Sequence, residues 1–202
     1  VCSTDCRLRR RVVQRVLSSN VRRLEMLIRH GELRDTENLA ALAIQVWLHT
    51  YATEGVSSLI SRYVLSEFTP EKFEALLSND SSTVFVAESN KNLVGYATVS
   101  VCKSCPVPTS AEVELATLYV QAPFIGKGIG SALLSHAERS AGQSAGPSLW
   151  LTVNSRNSRA IEFYAMHGYT KIGITHFELG SEKHENLVLV GRDAFAQAER
   201  QR

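Results

Sequence analysis

ELATLYVQAPFIGKGIGS, residues 114–131, joins an apolar, β-branched strand to a helix through a glycine-rich loop. Gly126, Gly128 and Gly130 alternate with Lys127 and Ile129. Glycines at this spacing remove side chains where a backbone approaches an anion, and they allow φ > 0 where the loop turns. The residues from Ser131 onward are helical in pattern, so free N–H groups and the helix dipole face the same point. A helix N-terminus stabilises an anion by about 0.3–1 kcal/mol, rising to ~2 in a partly buried site. Convergent amides therefore suffice for a diphosphate. Lys127 can add a point charge, although a solvated loop lysine is the plainer account of it. The G-x-G-x-G spacing lacks the third glycine of the dinucleotide pattern, and no G-x-x-x-x-G-K-[ST] loop occurs in the chain. By itself the segment also fits a tight β–α connection without a ligand.

A second segment, LWLTVNSRNSRAIEFYAMHGY at residues 149–169, narrows this. Leu149 to Val153 alternate as a strand does, and 154–157 form a polar loop. Ser158 to His167 carry a helical stripe at Ala160, Ile161, Tyr164 and Ala165, which Gly168 ends at a C-cap position. Together the two segments resemble the cofactor-binding half of the GCN5-related N-acetyltransferases. The first is similar to their acetyl-CoA loop, [QR]-x-x-G-x-G-[GA], and the second to their N-x-x-A-x-x-F-Y signature, here Asn157, Ala160, Phe163 and Tyr164. The resemblance runs from about Met26 to about Arg192. It departs at Ile125, where the family usually has Gln or Arg beside the phosphates. That loss weakens binding modestly, since the loop amides remain.

The resemblance implies an α/β (α+β) fold: a mixed, twisted, mostly antiparallel sheet with helices on both faces and a splay between the fourth and fifth strands. It implies acetyl-CoA as cosubstrate, held by Ile125, Gly126, Lys127, Gly128, Ile129, Gly130, Ser131, Asn157 and Ala160. The exposed backbone of Leu118, Tyr119 and Val120 would pair with the pantetheine arm. It also implies direct acetyl transfer to an amine, with Tyr164 as the acid for the departing thiolate. Glu114 aligns with a strand glutamate that relatives use as base. Regular alternation would put Glu112, Glu114, Ala116 and Leu118 on one face, with Glu112 a weaker alternate base. The family's selectivity elements correspond here to Trp47, Tyr51, Phe177, Glu178 and Glu182, an aromatic and acidic lining suited to an ammonium group. A looser resemblance is to a bacterial branch that includes polyamine acetyltransferases. His136, His167 and His176 are better explained structurally than as bases.

Composition agrees with one globular domain: 202 residues, 44% hydrophobic and 21% charged. No apolar run approaches the roughly 20 residues that span a bilayer, so no membrane partner is expected. Residues 1–24 hold seven arginines against Asp5 alone, a balance of +6, whereas the remainder holds 15 Lys/Arg against 19 Asp/Glu, a balance of −4. The basic extension 1–25 reads as a targeting peptide, a nucleic-acid arm or non-native upstream sequence. The third is favoured, because Met26 stands just before the first strand-like segment. The expected domain is 26–192, followed by a tail at 193–202. Cys2, Cys6, Cys102 and Cys105 could in principle complete a zinc site or two disulfides. No histidine sits at ligand spacing beside them, so reduced thiols, no metal and a cytoplasmic protein are expected. The acceptor is expected to be a small-molecule amine, without nucleic acid, and a homodimer is left open. Two further readings stand beside this one: a non-catalytic acyl-CoA-binding module, and an acetyltransferase of a protein N-terminus or lysine.

Overall fold

A computed structural model describes residues 26–101, 103–144 and 148–191. The basic extension, the C-terminal tail, Cys2, Cys6 and Cys102 lie outside the described residues. Strand β1 (Met26–His30) leads through a 3-10 turn (Leu33–Asp35) to helices α1 (Thr36–Tyr51), α2 (Ser58–Glu67) and α3 (Pro70–Leu77). Strands β2 (Ser82–Ser89), β3 (Asn92–Ser100) and β4 (Val113–Val120) follow, then α4 (Ile129–Ser144). β5 (Leu149–Asn154), α5 (Ser158–Met166), β6 (Thr170–Leu179) and β7 (Glu182–Val190) complete the chain. The strands form one sheet in the order β1-β2-β3-β4-β5-β7-β6. Every pairing is antiparallel except β4 with β5.

Local chemistry sets most boundaries. Thr69 caps α3, its Oγ1 accepting from the Lys72 N–H at 3.3 Å, and Pro70 occupies the first turn, where its missing N–H is not needed. Asn90 (φ 50°) and Lys91 (φ 66°) make the tight β2–β3 turn. Gly168 (φ 85°) ends α5 as expected from the sequence. The β6–β7 turn is tighter than the sequence suggested. β7 begins at Glu182, which pairs with Leu179, so only Gly180 and Ser181 bridge the strands.

Two layers of helix cover the sheet. One face carries Phe85, Ala97, Leu115, Leu149 and Leu151 under α4 and α5, which contribute Leu133, Leu134 and Tyr164. The other carries Val84, Val86 and Tyr96 under α1 and α3. Nearer β6 and β7, α1 and α2 pack Trp47 and Val64 onto Leu179.

Asp35 stands at the N-cap position of α1. Its carboxylate makes no cap hydrogen bond to α1. It takes a forked pair from Arg29 (Nη1 to Oδ2 2.7 Å, Nη2 to Oδ1 2.9 Å) and the Glu32 N–H at 2.9 Å. Arg29 Nε also donates to Glu88 at 3.0 Å, so one guanidinium ties the edge strand to β2 and to the first turn before α1. The Arg29 hydrogen bonds hold the Asp35 carboxyl below the usual carboxylate range, against the opposing effect of burial.

Removing one member of a buried pair leaves the other uncompensated, so Asp35→Ala should destabilise the fold by about 3 kcal/mol at neutral pH. A depressed folded pKa means that this contribution is fully present above about pH 4, the unfolded value, and is lost as pH falls through the folded one. Urea unfolding of both proteins at pH 7 and pH 3 should show the gap close in acid.

Candidate active site

The glycine loop enters from β4 through a 3-10 turn at Ala122–Phe124 and an extended Ile125. Gly126 (φ 77°) and Gly128 (φ 80°) adopt the left-handed conformation, and a Cβ at either would meet no atom within 4 Å. Conformation therefore demands glycine there, and the space beside the loop is open. Gly130 serves a different end: its Cβ would lie 3.4 Å from the Phe163 ring, so it admits α5 against the first turn of α4. Lys127 Nζ stands 4.9 Å over the Phe124 ring, and Ile125 is partly exposed beside it. Ile129 is buried. Ser131 is engaged by His167, whose Nε2 lies 2.9 Å from the serine hydroxyl while Nδ1–H donates to the Phe163 carbonyl at 2.7 Å. His136 likewise donates from Nδ1 to the Ala132 carbonyl at 2.9 Å. Both are structural histidines, as the sequence suggests.

β4 pairs with β5 only at Val113↔Leu149 and Glu114↔Trp150. Beyond Glu114 the strands part, so Leu118, Tyr119 and Val120 bond to β3 on one side and have no strand partner on the other among the described residues. This is the expected splay. The expected alternation is corrected. The β3–β4 register slips between Thr98↔Thr117 and Val99↔Leu115, leaving Ala116 as a bulge. One extra residue flips every later side chain. Leu118 and Val120 consequently point with Leu115 into the α4 layer, while Thr117 and Tyr119 share the face of Glu114. Glu114 and Leu118 lie on opposite faces.

Asn157 caps α5, its Oδ1 accepting from the Ala160 N–H at 3.1 Å. The rest of its amide lies against the Tyr51 hydroxyl, which links the end of α1 to the start of α5 across the splay. Tyr164 projects from α5 into the same region. Burial, then the neighbouring Tyr51, pushes its phenol far above the ordinary range. Tyr119 is held up by burial and by Tyr96, Tyr51, Tyr63 and Tyr164. All six tyrosines of the chain belong to this mutually interacting set, with Tyr169 joined through Tyr164. Tyr63 and Tyr96 are members that sequence reading missed. Nothing in their local spacing separates them from core residues.

Glu114 is half-buried between Ser100 of β3 and Trp150 of β5. Burial raises its carboxyl above the usual range, and Lys103 opposes the shift. Glu112 lies outside this region. It lines a cavity of about 730 Å³ with Asp80, Thr83, Lys103 and Ser140, at the far end of α4 from the glycine loop.

The expected acceptor residues divide. Tyr51 is partly exposed, while Trp47 is 5% exposed beneath it and packs on Tyr51 and Tyr63 at ring separations of 5.0 Å. Trp47 is thus a support for the lining rather than its surface, because α1 turns it into the core with Val64 and Leu179. Phe177 meets Tyr63 edge-on at 5.7 Å. Glu178 is paired across the hairpin with Lys183 at 3.2 Å, and Glu182 lies 3.3 Å from His184. Lys183 partly cancels the negative field of Glu178. Among the described residues no three metal-ligating side chains cluster, and no helix is long and apolar enough to cross a membrane.

A parted parallel strand pair, a glycine cradle at a helix N-terminus and a phenol at the parting define an acyl-CoA-using transferase. The comparisons agree. Residues 45–169 match the acetyltransferase (GNAT) family, and the chain belongs to it. An uncharacterized N-acetyltransferase of Mycobacterium tuberculosis is 26% identical over 158 residues, 78% of this chain and 97% of that protein. A spermidine N(1)-acetyltransferase of Thermoplasma acidophilum is 24% identical over 146 residues, 70% of this chain and 86% of that one. Among solved structures, a PaiA N-acetyltransferase of Thermoplasma acidophilum in complex with coenzyme A superposes with a TM-score of 0.70. It is 22% identical, over 84% of this chain and 99% of that one. A Streptococcus pneumoniae acetyltransferase of the GNAT family gives 0.63 at 25% identity, over 82% and 98%. The protein is an acetyl-CoA-dependent N-acetyltransferase.

The residues present fit that cosubstrate: the cradle is open at Gly126 and Gly128, and one edge of β4 is free to receive an extended amide chain. Gly128→Asp should weaken coenzyme A binding at least tenfold by titration calorimetry. A side chain at φ 80° costs about 1–2 kcal/mol, and its charge opposes the diphosphate. Ile125→Arg should tighten it by about 1–3 kcal/mol, the worth of a hydrogen bond to a charged group.

Proposed function

We propose that the chain acetylates a primary amine of a small molecule, with Tyr164 as general acid and Glu114 as general base. Acetyl-CoA supplies the acetyl group as a thioester. An alkylamine with pKa near 10.4 is uncharged only about once in 10³ molecules at pH 7, so a carboxylate of raised pKa is matched to taking its proton. The Tyr164 phenol, protonated throughout the working range, can give its proton to sulfur. The loop 125–131 holds the diphosphate through its amides, with Lys127 as the nearby charge. Asn157 and Ala160 act by fixing the start of α5.

The observation that favours a small acceptor over a protein terminus or lysine is the closure of the β6–β7 tip. Leu179 packs into the α1–α2 cluster with Trp47 and Val64, and a Cβ on Gly180 would lie 2.8 Å from Leu59. A peptide crossing this face would have to displace that tip. Tyr51, Tyr63 and Phe177 leave an aromatic lining suited to an ammonium group. A polyamine is the finer reading. It is supported by the −4 balance outside the extension and by the likeness to a spermidine acetyltransferase.

Tyr164→Phe should lower kcat by about 10²–10³ with acetyl-CoA affinity kept. Glu114→Gln should remove the acid limb of kcat/KM, which in the wild type lies above the ordinary carboxylate range because burial raises this group. Mass spectrometry of a panel of amines, polyamines, amino acids and peptides identifies the acceptor. Spermidine should be turned over faster than a monoamine, with an advantage that shrinks with salt. Coenzyme A binding without turnover of any amine would favour the non-catalytic module.

A further inference from the structure

His167, structural in its tie to α5, also reaches the glycine loop. It closes α5 as the C-cap residue. Nδ1 lies 2.7 Å from the Phe163 carbonyl, which can only accept, so Nδ1 carries the proton. In the neutral ring Nε2 is then a lone pair, and at 2.9 Å it takes the Ser131 hydroxyl proton. The Phe163 ring packs on the imidazole at a centroid separation of 4.3 Å. Ser131 stands in the first turn of α4, three residues after Gly128. With its proton given to Nε2, the serine offers only lone pairs to an anion at the loop. A protonated imidazole reverses the bond: Nε2–H donates to Oγ, and the hydroxyl proton is free for the anion. The carbonyls that end α5 also favour a cation at this position. Ile125, on the loop itself, has no side-chain donor to offer.

We propose that His167 is a positioning residue for acetyl-CoA: as an imidazolium it turns the Ser131 hydroxyl towards the diphosphate, so that the cosubstrate binds together with one proton from solvent. The inference rests on the loop 125–131 as the diphosphate cradle. No bond between heavy atoms changes. The proton enters at Nε2, the hydroxyl rotates, and release of the cosubstrate reverses both. The complex favours the protonated ring, so affinity is greatest in acid and falls to a lower plateau as pH rises through the imidazole titration. Charged side chains on the elements that meet here are Lys127 in the loop, Glu138 and Arg139 along α4, Arg159 and Glu162 on α5, and Lys171 at the start of β6. Lys127 stands over Phe124, Glu138 accepts from Tyr169, and Arg139 donates to the Ser135 carbonyl. Among the described residues none of these bonds to the imidazole, whose polar contacts are Ser131 and the Phe163 carbonyl.

The test is titration calorimetry of coenzyme A against wild type, His167→Gln and Ser131→Ala, in two buffers of unlike ionisation enthalpy, which counts the protons bound. The phosphate monoester of coenzyme A itself titrates at about pH 6, so the difference between proteins is the readout. At about pH 5.5 His167→Gln should bind about tenfold more weakly than wild type, a modest share of a hydrogen bond to a charged group. At about pH 8.5, where imidazoles are neutral, the two should agree within about twofold. Near neutral pH the wild type should take up more protons than His167→Gln. Ser131→Ala should lose the same uptake, and adding His167→Gln to it should cost nothing more. Wild-type affinity of His167→Gln at both pH values, or an equal loss at both, overturns the proposal. So does full proton uptake in Ser131→Ala, because the imidazolium would then act without the serine. Coenzyme A affinity unchanged in Gly128→Asp sinks the cradle instead. Weakened binding there, with His167→Gln like wild type throughout, sinks the role of His167 alone.

Discussion

After two residue pairs β5 leaves β4, and the middle of the sheet is left with one unpaired backbone edge. Elsewhere an exposed edge is a hazard, and a buried backbone group without a partner is costly. Here the edge is half-buried, beside a loop of left-handed glycines and the start of α4. The rest of the architecture is arranged around that opening. The α4–α5 layer lies with the glycine loop on one face of the sheet, and α1 and α3, with α2 nearer β6 and β7, cover the other. The contact between Tyr51 and Asn157 is where the two sides meet.

The bulge at Ala116 turns this opening into a site with two chemistries. Without it Tyr119 and Thr117 would face α4, and Leu118 would face the acceptor side. With it, hydrophobic side chains go to the cofactor layer and hydroxyls to the face of Glu114. Burial then acts in the same direction on two acids: the Tyr164 phenol and the Glu114 carboxyl both favour their neutral forms more than in water. A phenol so shifted stays a proton donor, and a carboxyl so shifted becomes a stronger base. Under the proposed roles, one low-dielectric environment would serve both ends of the transfer.

Charge plays a smaller part than the −4 balance of residues 25–202 suggests. Glu178 and Glu182 have basic neighbours on the same hairpin, and exposed pairs of this kind are worth about 0–1 kcal/mol and are screened by salt. The acceptor face is better described by its aromatic rings and hydroxyls. Under the proposed function, selectivity among amines would depend on shape and hydrogen bonding at Tyr51, Tyr63 and Phe177 as well as on the net field.

The glycine loop, the strand from Leu149 and the Gly168 end of α5 were all legible in the sequence, because each is decided by residues within a few positions of one another. The pairing of Asp35 with Arg29 was not legible, since the two lie on different elements. Trp47 was read as lining and is core, because helical spacing does not say which helix face the neighbours cover. The face of Leu118, the role of Gly130 against Phe163 and the convergence of six tyrosines required the tertiary structure. A one-residue register slip between two strands leaves no local mark in either, yet it reverses every side chain beyond it. The sequence by itself thus determined the family and the glycine loop between β4 and α4; the pairing of distant strands decided which side chains share the face of Glu114.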